Sequence, residues 1–253
     1  MRPVRPAAVQ PAFVLHHYDW SETSLILDLF TRESGRVAVA AKGAKRPYSQ
    51  LRAVLLPLQR IQVSLSKPTL TEGGEVQTLR GAEWAGGNTL PGGAGLFSGY
   101  YLNELLMKLL ARHDPHPQLF DAYADTLAAL AQRDDTAALR AFELRLLAEL
   151  GLLPDLSVVT ATQRALDPAS RYQLSADGGL VPASHDSGAL RGDTLIRLQA
   201  ALLHGSGDAL RAACAAELPL LKSALRGLLH HHLGHQALRT RALLVDVQKL
   251  LDT

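Results

Sequence analysis

The sequence predicts an α+β chain with several domains, in which an amino-terminal β-barrel precedes an all-α domain. Three observations support this fold class. Short apolar runs separated by turns fill residues 12–84, and one of them alternates polar and apolar residues with period two. A stretch rich in Gly and Pro at 86–93 (GGNTLPGG) separates this region from one with helical periodicity. Aromatic residues make up only 5% of the chain while Leu and Ala are abundant, which favours helices over a β-sandwich.

The barrel is predicted from five short strands. The link Arg32-Glu-Ser-Gly35 has the length and the glycine of a hairpin connection, and Gly73-Gly74 marks a later turn. Five short strands with turns between them are typical of a small closed barrel such as the OB-fold, which commonly binds single-stranded nucleic acid. Residues 1–85 are therefore predicted to form a first, DNA-binding domain. Its strands are predicted at Ala12–His17, Ser24–Phe30, Arg36–Ala41, Gln59–Ser66 and Glu75–Leu79.

Residues 94–253 are predicted to form the helical domain. Leucines recur at i, i+4 spacing from residue 96 onward, and prolines in His113-Asp-Pro-His-Pro117 end that helix. Residues 154–188 are irregular and polar, which indicates an insertion of loops with a short hairpin that uses Arg171–Leu174. The helices are predicted at Leu96–Arg112, Leu119–Gln132, Thr136–Leu150, Thr194–Leu203, Asp208–Ala216, Leu218–His232 and Leu238–Leu251.

Positive charge is concentrated in one part of the predicted barrel. Residues 32–60 contain seven Lys or Arg and one acid, Glu33, although the whole chain has a net charge of only +2. A cationic patch of this kind is typical of a protein that binds a polyanion, although a solvated loop without a partner has the same composition. The predicted DNA-binding residues are Arg36, Lys42, Lys45, Arg46 and Arg52, with Tyr48 as a base-stacking residue.

The aromatic residues near this segment fall into two groups. Phe13 and Phe30 follow the apolar alternation and are predicted to lie in the core. Tyr18 and Trp20 lie in a turn-like segment, and Tyr48 lies within the basic segment. Exposed aromatic rings at such places can stack on bases, although each is about as well explained as a packing residue at the end of a barrel.

Composition excludes several other classes. One cysteine, Cys214, rules out an internal disulfide and a zinc site built from cysteines. No apolar run is long enough to cross a membrane. Residues 1–10 carry two arginines without an apolar stretch, so we expect a disordered tail and no signal peptide. We expect a cytoplasmic, nucleoid-associated protein.

Neither a catalytic centre nor a metal site is predicted. Ser98-Gly99 lacks the G-x-S-x-G pattern, and the glycine pairs form no phosphate-binding motif. His231 and His235 could share one helix face, but no further ligand pattern accompanies them, and a solvent-exposed helix end explains the cluster better. Asp134-Asp135 reads as an N-cap for the helix that begins at Thr136. We therefore expect a binding protein without a cofactor.

Several segments, in the right order and over most of the chain, resemble the RecO family of bacterial recombination mediators. The amino-terminal segments are Ala12-Phe-Val-Leu-His16, Trp20-Ser-Glu-Thr-Ser-Leu25, Leu29-Phe-Thr31, Ser34-Gly-Arg-Val37 and Ala41-Lys-Gly-Ala44. The later ones are Ser98-Gly-Tyr-Tyr-Leu-Asn-Glu-Leu-Leu106, Leu139-Arg-Ala-Phe-Glu-Leu144 and Leu233-Gly-His-Gln-Ala-Leu-Arg-Thr-Arg241.

This resemblance implies an OB-fold, a helical domain and no enzymatic turnover. It implies binding to single- and double-stranded DNA and annealing of complementary strands. It also implies a complex with RecR and docking on the carboxyl-terminal tail of single-strand-binding protein (SSB), so that RecA can load. For the tail, which is acidic and ends in an aromatic residue, the family's LRxFEL motif points to Arg140, with Arg145, Leu102 and Leu106 as neighbours.

The sequence departs from the family at one element. Many members carry four zinc-binding cysteines after the third helix, and here the corresponding positions are Val159, Thr162, Pro182 and His185. The resemblance is therefore to a zinc-free branch, in which the Gly178-Gly179 turn can keep the path of the loop.

Two other functional classes fit the sequence. An adaptor that binds only proteins would show no salt-dependent DNA binding. A nuclease would need clustered carboxylates near the basic segment, and Asp19, Glu22 and Asp28 are the candidates, of which Asp28 could face solvent from its strand.

Overall fold

The computed structural model describes residues 9–66, 76–86, 90–132, 136–185, 188–234, 238–240 and 243. The chain divides into two compact units, Met1–Gln132 with Leu238–Thr253, and Arg133–Ala237. The sequence places a domain boundary at 86–93, but the first helices beyond it belong to the same compact unit as the barrel. The change of composition therefore marks the end of the barrel, and the compact unit continues to Gln132.

Strands β1 to β5 close into a barrel. They run in the order β1-β2-β3-β5-β4 around it, with β3 and β5 parallel and the other neighbours antiparallel. A short helix, α1 (Leu51–Val54), which the sequence does not predict, precedes β4. This architecture confirms the predicted OB-type barrel, while the predicted Gly73-Gly74 turn lies outside the described residues. The strands are β1 (Val9–Asp19), β2 (Leu25–Thr31), β3 (Gly35–Ala41), β4 (Arg60–Leu65) and β5 (Val76–Trp84).

Two helices pack against the outside of the barrel. They are α2 (Ala94–Leu109) and α3 (Pro117–Gln132). The ring of Phe120 in α3 lies 5.3 Å from that of Phe13 and 5.4 Å from that of Phe30. Both barrel phenylalanines are buried, as predicted, although they belong to the outer face. The barrel thus has a second apolar layer beneath α2 and α3, and β2 is buried along almost its whole length.

A buried polar chain fixes α2 and α3 to β1. β1 has a bulge between Val14 and His16, and the extra residue of a bulge leaves the ladder. Asn103 of α2 donates its side-chain amide to the carbonyl of Leu15 at 3.0 Å and accepts a hydrogen bond from the hydroxyl of Tyr123. Burial raises the pKa of Tyr123, so the phenol stays protonated and remains a donor. The bulge carbonyl is therefore satisfied by a helix side chain.

Glu104 of α2 holds the backbone of residues 239 and 240. Its carboxylate accepts hydrogen bonds from the amide of Arg239 at 2.9 Å and from the amide and hydroxyl of Thr240 at 3.0 and 2.7 Å. Burial alone would raise the pKa of Glu104, but the hydrogen bonds from Thr240 and Arg239 outweigh it and hold the pKa below its usual range.

We expect Glu104→Gln to lower the free energy of unfolding by about 1–2 kcal/mol at pH 7, since bonds to a charged acceptor are lost. Because the folded pKa is depressed, this stabilisation is present above the unfolded pKa of about 4.3 and disappears as the pH falls through the folded pKa. Urea unfolding of wild type and variant at pH 7 and at pH 3 measures the loss of unfolding free energy at each pH. The control is Glu22→Gln, at an exposed glutamate of the same unit, which should leave the free energy of unfolding unchanged at both pH values. If the stability loss of Glu104→Gln were as large at pH 3 as at pH 7, the stabilising role of the Glu104 carboxylate would be contradicted.

The second unit is helical with a small sheet. β6 (Arg171–Ser175) pairs with β7 (Gly179–Pro182) and with β8 (Leu190–Arg191), which confirms the predicted hairpin. Most of the predicted Leu238–Leu251 helix, and Asp134-Asp135, lie outside the described residues. The helices of this unit are α4 (Thr136–Glu149), α5 (Gly192–Leu203), α6 (Gly207–Ala216) and α7 (Leu218–His232).

Candidate nucleic-acid interface

The basic loop (residues 42–50) follows β3 and is fixed to the turn between β1 and β2. The amide of Lys45 donates to the carbonyl of Thr23 at 3.0 Å, and the amide of Gly43 donates to the Ser24 hydroxyl at 3.4 Å. Gly43 has φ +74°, a conformation that favours glycine, and its carbonyl accepts from the amide of Arg46 at 3.2 Å. The loop therefore has a defined shape that its backbone determines.

The predicted cationic side chains differ in whether they are already paired with a carboxylate. Lys42, Arg46 and, in α1, Arg52 are exposed and form no ion pair with any residue that the structure describes. Lys45 lies 3.2 Å from Asp19, whose carboxylate is largely exposed. A surface pair of this kind is weak, so Lys45 can exchange its partner for a phosphate. The structure thus brings Lys42, Lys45 and Arg46 together on one loop.

An open concavity of about 340 Å³ lies between the basic loop and the β1–β2 turn. The sequence predicts a possible stacking role for Trp20 of this turn but not the hydroxyl residues Ser21, Thr23 and Ser24, for which the resemblance segment beginning at Trp20 was the available signal. Hydroxyl groups, a guanidinium, an ammonium group and an indole surround this space, which suits an anion joined to an aromatic ring. The lining consists of Trp20, Ser21, Thr23, Ser24, Lys42, Gly43 and Arg46.

Aromatic side chains beside the loop are exposed. Tyr18 is 46%, Trp20 56% and Tyr48 99% exposed, so none of the three is a core residue. Tyr18 lies 4.5 Å from the ring of His16, edge to face. Burial and the neighbouring His17 lower the pKa of His16, although Asp28 opposes this, so His16 adds no positive charge at neutral pH. This edge of the barrel offers rings as well as cations.

Arg36 does not belong to the interface, and its predicted role is corrected. Its guanidinium makes two hydrogen bonds of 2.8 Å to the carboxylate of Asp28, and it also donates to the carbonyls of Met107 and Leu110 at the end of α2. The side chain is only 13% exposed. The pair with Asp28 raises the pKa of Arg36 further, even against burial. Arg36 is a structural link between the barrel and α2.

Because Asp28 is paired with Arg36, it is not available for the carboxylate cluster that a nuclease would need. Asp28 is 1% exposed and is shared by Arg36 and, at 3.6 Å, by Arg112, so the expectation that it faces solvent is wrong. Asp19 faces Lys45, and Glu22 is exposed. The described residues contain no group of three or more His, Cys, Asp or Glu that could hold a metal ion, the described histidines 230–232 among them.

Comparison with known proteins decides the family. Residues 7–88 match the family model "Recombination protein O N terminal", and residues 93–242 match "Recombination protein O C terminal". The chain belongs to the RecO family. It is 53% identical over 249 residues to the DNA repair protein RecO of Polaromonas naphthalenivorans strain CJ2, with 95% of this chain and 97% of the relative covered. It is 50% identical over 264 residues to that of Acidovorax ebreus strain TPSY, with 97% and 99% covered.

In this member of the RecO family, hydrogen bonds hold the β6–β7 hairpin to the segment that contains Thr160. The amide of Thr160 donates to the carbonyl of Leu180 at 2.9 Å, and its hydroxyl accepts from the amide of Leu180 at 2.8 Å. Gly179, at the hairpin turn, leaves room for this threonine, since a Cβ there would lie 2.4 Å from the Thr160 hydroxyl oxygen. The path of this loop is thus fixed by contacts of the Thr160 backbone and hydroxyl with Leu180. The positions that the resemblance aligns with zinc-binding cysteines carry Val159, Thr162, Pro182 and His185.

Three of the four residues predicted to bind the SSB tail are buried, which differs from an open pocket with an exposed arginine at its rim. Arg140 is buried in α4 and pairs with Glu143 at 2.8 Å, so it is not an exposed, unpaired helix charge. Arg145 donates to the carbonyl of Leu202 at 3.3 Å. Leu102 and Leu106 are fully buried in α2, so they offer no open slot for a ring. Arg140 and Arg145 lie in the second compact unit and the leucines in the first.

Among the described residues, no helix has the length and apolar character needed to cross a membrane.

Proposed function

We propose that this protein binds single- and double-stranded DNA, anneals complementary strands, and acts with RecR so that RecA loads on DNA coated with SSB. Membership of a DNA repair family supports the proposal. The observation that carries it is the exposed cationic group of Lys42, Arg46 and Arg52, which has no ion-pair partner among the described residues, at one edge of an OB-type barrel.

The physical role of this edge in annealing is to reduce charge repulsion. Two complementary strands repel each other through their phosphates, and Lys or Arg side chains that neutralise phosphates lower that repulsion. Contacts to the backbone carry no sequence information, so binding is weakly specific. The bases stay free to pair, while Trp20 and Tyr48 supply stacking surfaces for bases that are not yet paired.

We further propose that the guanidinium of Arg140 receives the carboxyl-terminal carboxylate of the SSB tail. A guanidinium binds a carboxylate through up to two parallel hydrogen bonds, which suits the free carboxylate at the end of the tail. Arg140 is paired with Glu143, and its Nε is a buried donor without a hydrogen-bond partner among the described residues, so the tail would have to reach it by a local rearrangement of α4 side chains. Leu102 and Leu106 are not part of this proposal, because both are core residues.

Annealing of naked and SSB-coated strands tests both parts. Removing cations of the basic loop should slow annealing on both substrates. Arg140→Gln together with Glu143→Gln removes both charges of the buried pair without leaving one of them alone, and should slow annealing at least tenfold on coated strands only.

The two substrates act as controls for each other. Equal annealing of coated strands by the double glutamine variant and the wild type would disprove the tail site. A wild-type protein that neither binds nor anneals naked strands would disprove the DNA-binding proposal itself. Release of DNA fragments in the presence of Mg²⁺ or Mn²⁺ would show an enzyme instead of a mediator.

A further inference from the structure

A second concavity of about 380 Å³ lies in the first compact unit, where β4 begins and β5 ends. A volume of this size is typical of small-ligand sites. We refer to it as the Trp84 pocket. Its apolar lining includes Leu58, Trp84, Pro91 and Leu127, and the charged residues at it are Arg60 and Asp125.

The indole of Trp84 is the largest exposed apolar group in this pocket. Trp84 is the last residue of β5 and pairs with Ile61 of β4, which belongs to the barrel core. Because the strand ends there, Trp84 is 61% exposed instead of buried. A tryptophan whose backbone is fixed by strand pairing and whose indole is exposed offers a well-positioned surface on which a base can stack.

Leu58 lines the pocket in a conformation that is fixed by tight packing. It has φ +65°, a left-handed conformation that is strained for leucine. Its side chain packs so closely on α2 that a Cβ at Gly99 would lie 2.7 Å from Leu58 Cδ1. Strain of this kind persists only where the surrounding packing fixes it, and it is often found at binding sites.

Arg60 and Asp125 determine the kind of ligand. Arg60 is held in β4 opposite Phe13, and its carbonyl accepts from the amide of Ala85 at 3.2 Å. Both charged side chains are exposed, and neither forms an ion pair within the part of the chain that the structure describes. A ligand with an anionic group, an aromatic face and N–H donors satisfies all three side chains. A nucleotide has these groups, whereas a purely acidic peptide leaves Asp125 facing like charge.

We propose that the Trp84 pocket holds one unstacked nucleotide of single-stranded DNA, with its base on Trp84 and its phosphate on Arg60. The inference rests on the proposed DNA binding and adds a second contact. On β1, Phe13 lies opposite Arg60 and Asp19 lies next to the basic loop, and six residues of strand span about 20 Å. A strand held at both points keeps the bases between them free to pair, which is what annealing needs.

The two tryptophans of the chain make the test specific, because one lies in each site. In Trp20→Phe, Trp84 is the sole tryptophan, and titration with a single-stranded oligothymidylate should quench its emission to saturation. Arg60→Ala in this background should weaken that binding roughly tenfold, since it removes a phosphate contact. Trp84→Ala should weaken binding by a similar factor, measured by gel shift. A blunt duplex of equal length should leave Trp84 emission unchanged, because it offers no free base.

The reciprocal variant separates this inference from the proposed function. In Trp84→Phe, quenching of Trp20 reports the basic loop alone. If Trp20 responds and Trp84 does not, the pocket is no nucleotide site and the DNA-binding proposal stands. If neither responds and no complex forms, the proposed function fails. Displacement of the oligonucleotide from Trp84 by an acidic peptide with an aromatic end would show a protein-docking site and overturn the inference. Trp20→Phe leaves the pocket unaltered, so its result does not depend on the folding of Trp84→Ala.

Discussion

Replacing Lys42 and Arg46 by glutamate is expected to lower the affinity for single-stranded DNA by roughly two orders of magnitude and to abolish annealing. Both side chains are exposed on the basic loop and have no carboxylate partner among the described residues, so their charge is available to phosphates. Hydrogen bonds to charged groups contribute about 1.5–3 kcal/mol each, and two of them at the lower end of that range, as expected for exposed side chains, correspond to roughly a hundredfold in affinity. Fluorescence anisotropy of a labelled strand and a strand-annealing assay measure the two effects.

The salt dependence of binding tests the same contacts independently. With Lys42, Lys45, Arg46 and Arg52 on phosphates, the slope of log K against log salt should be about −3, since each contact on a single strand contributes about −0.7. Losing Lys42 and Arg46 should reduce its magnitude by about 1.4.

The matched control changes the same charge elsewhere. Arg32→Glu with Arg197→Glu also shifts the net charge by four units, but both arginines are already paired with aspartates and neither belongs to the basic loop. This variant should bind nearly as the wild type does. Equal weakening by both double variants would show that net charge alone, and not the basic loop, attracts DNA.

The strands were predictable because their signals are local. Apolar alternation and the Arg32–Gly35 link predict β2, β3 and their hairpin, and the observed register pairs Thr31 with Gly35. The sequence does not predict α1, which is only four residues long. It places the end of the fifth strand at Leu79, whereas β5 continues to Trp84, because pairing with β4 overrides the weak strand propensity of a glycine at 81.

The candidate site was predictable in composition and not in contacts. Charge density identified the basic loop, but the same count included Arg36, which is half of an internal pair. Strand register brings Arg36 diagonally next to Asp28, and a segment distant in sequence covers the pair: the amide of His113 donates to the carbonyl of Arg36 at 2.9 Å. Gly35 permits this approach, because a Cβ there would lie 2.0 Å from the carbonyl oxygen of Asp114. Only the tertiary structure distinguishes such an arginine from a free one.

Asn103 and Trp84 each stand out in the sequence in a way that the predictions did not use. Asn103 interrupts the apolar face of α2, and a lone amide among leucines indicates a buried hydrogen-bond partner, here the bulge carbonyl of Leu15. Trp84 stands just before the glycine-rich boundary, where a large aromatic residue has no strand left to cover it.

The Asp28–Arg36 pair leads to the second large prediction, which concerns stability. Arg36→Ala should lower the free energy of unfolding by about 3 kcal/mol, because removing one partner leaves the carboxylate of Asp28 buried without its closest cation. Breaking buried pairs typically costs about 3–5 kcal/mol, and we expect the lower end because Arg112 stays 3.6 Å from Asp28. Urea unfolding followed by circular dichroism measures the change.

Arg32→Ala is the matched control, since Arg32 makes an equally well-formed two-point contact with Asp121 near the same hairpin but with both side chains 43–51% exposed. Solvent screens that pair, so its loss should leave stability nearly unchanged. Asp28→Asn with Arg36→Gln, which removes both charges and keeps hydrogen-bonding groups, should recover most of the loss. If Arg36→Ala instead keeps wild-type stability but loses DNA affinity, the arginine belongs to the interface and its assignment as a link to α2 is wrong. If stability falls while affinity per folded molecule is retained, the barrel uses one set of cations for its own packing and another for phosphates.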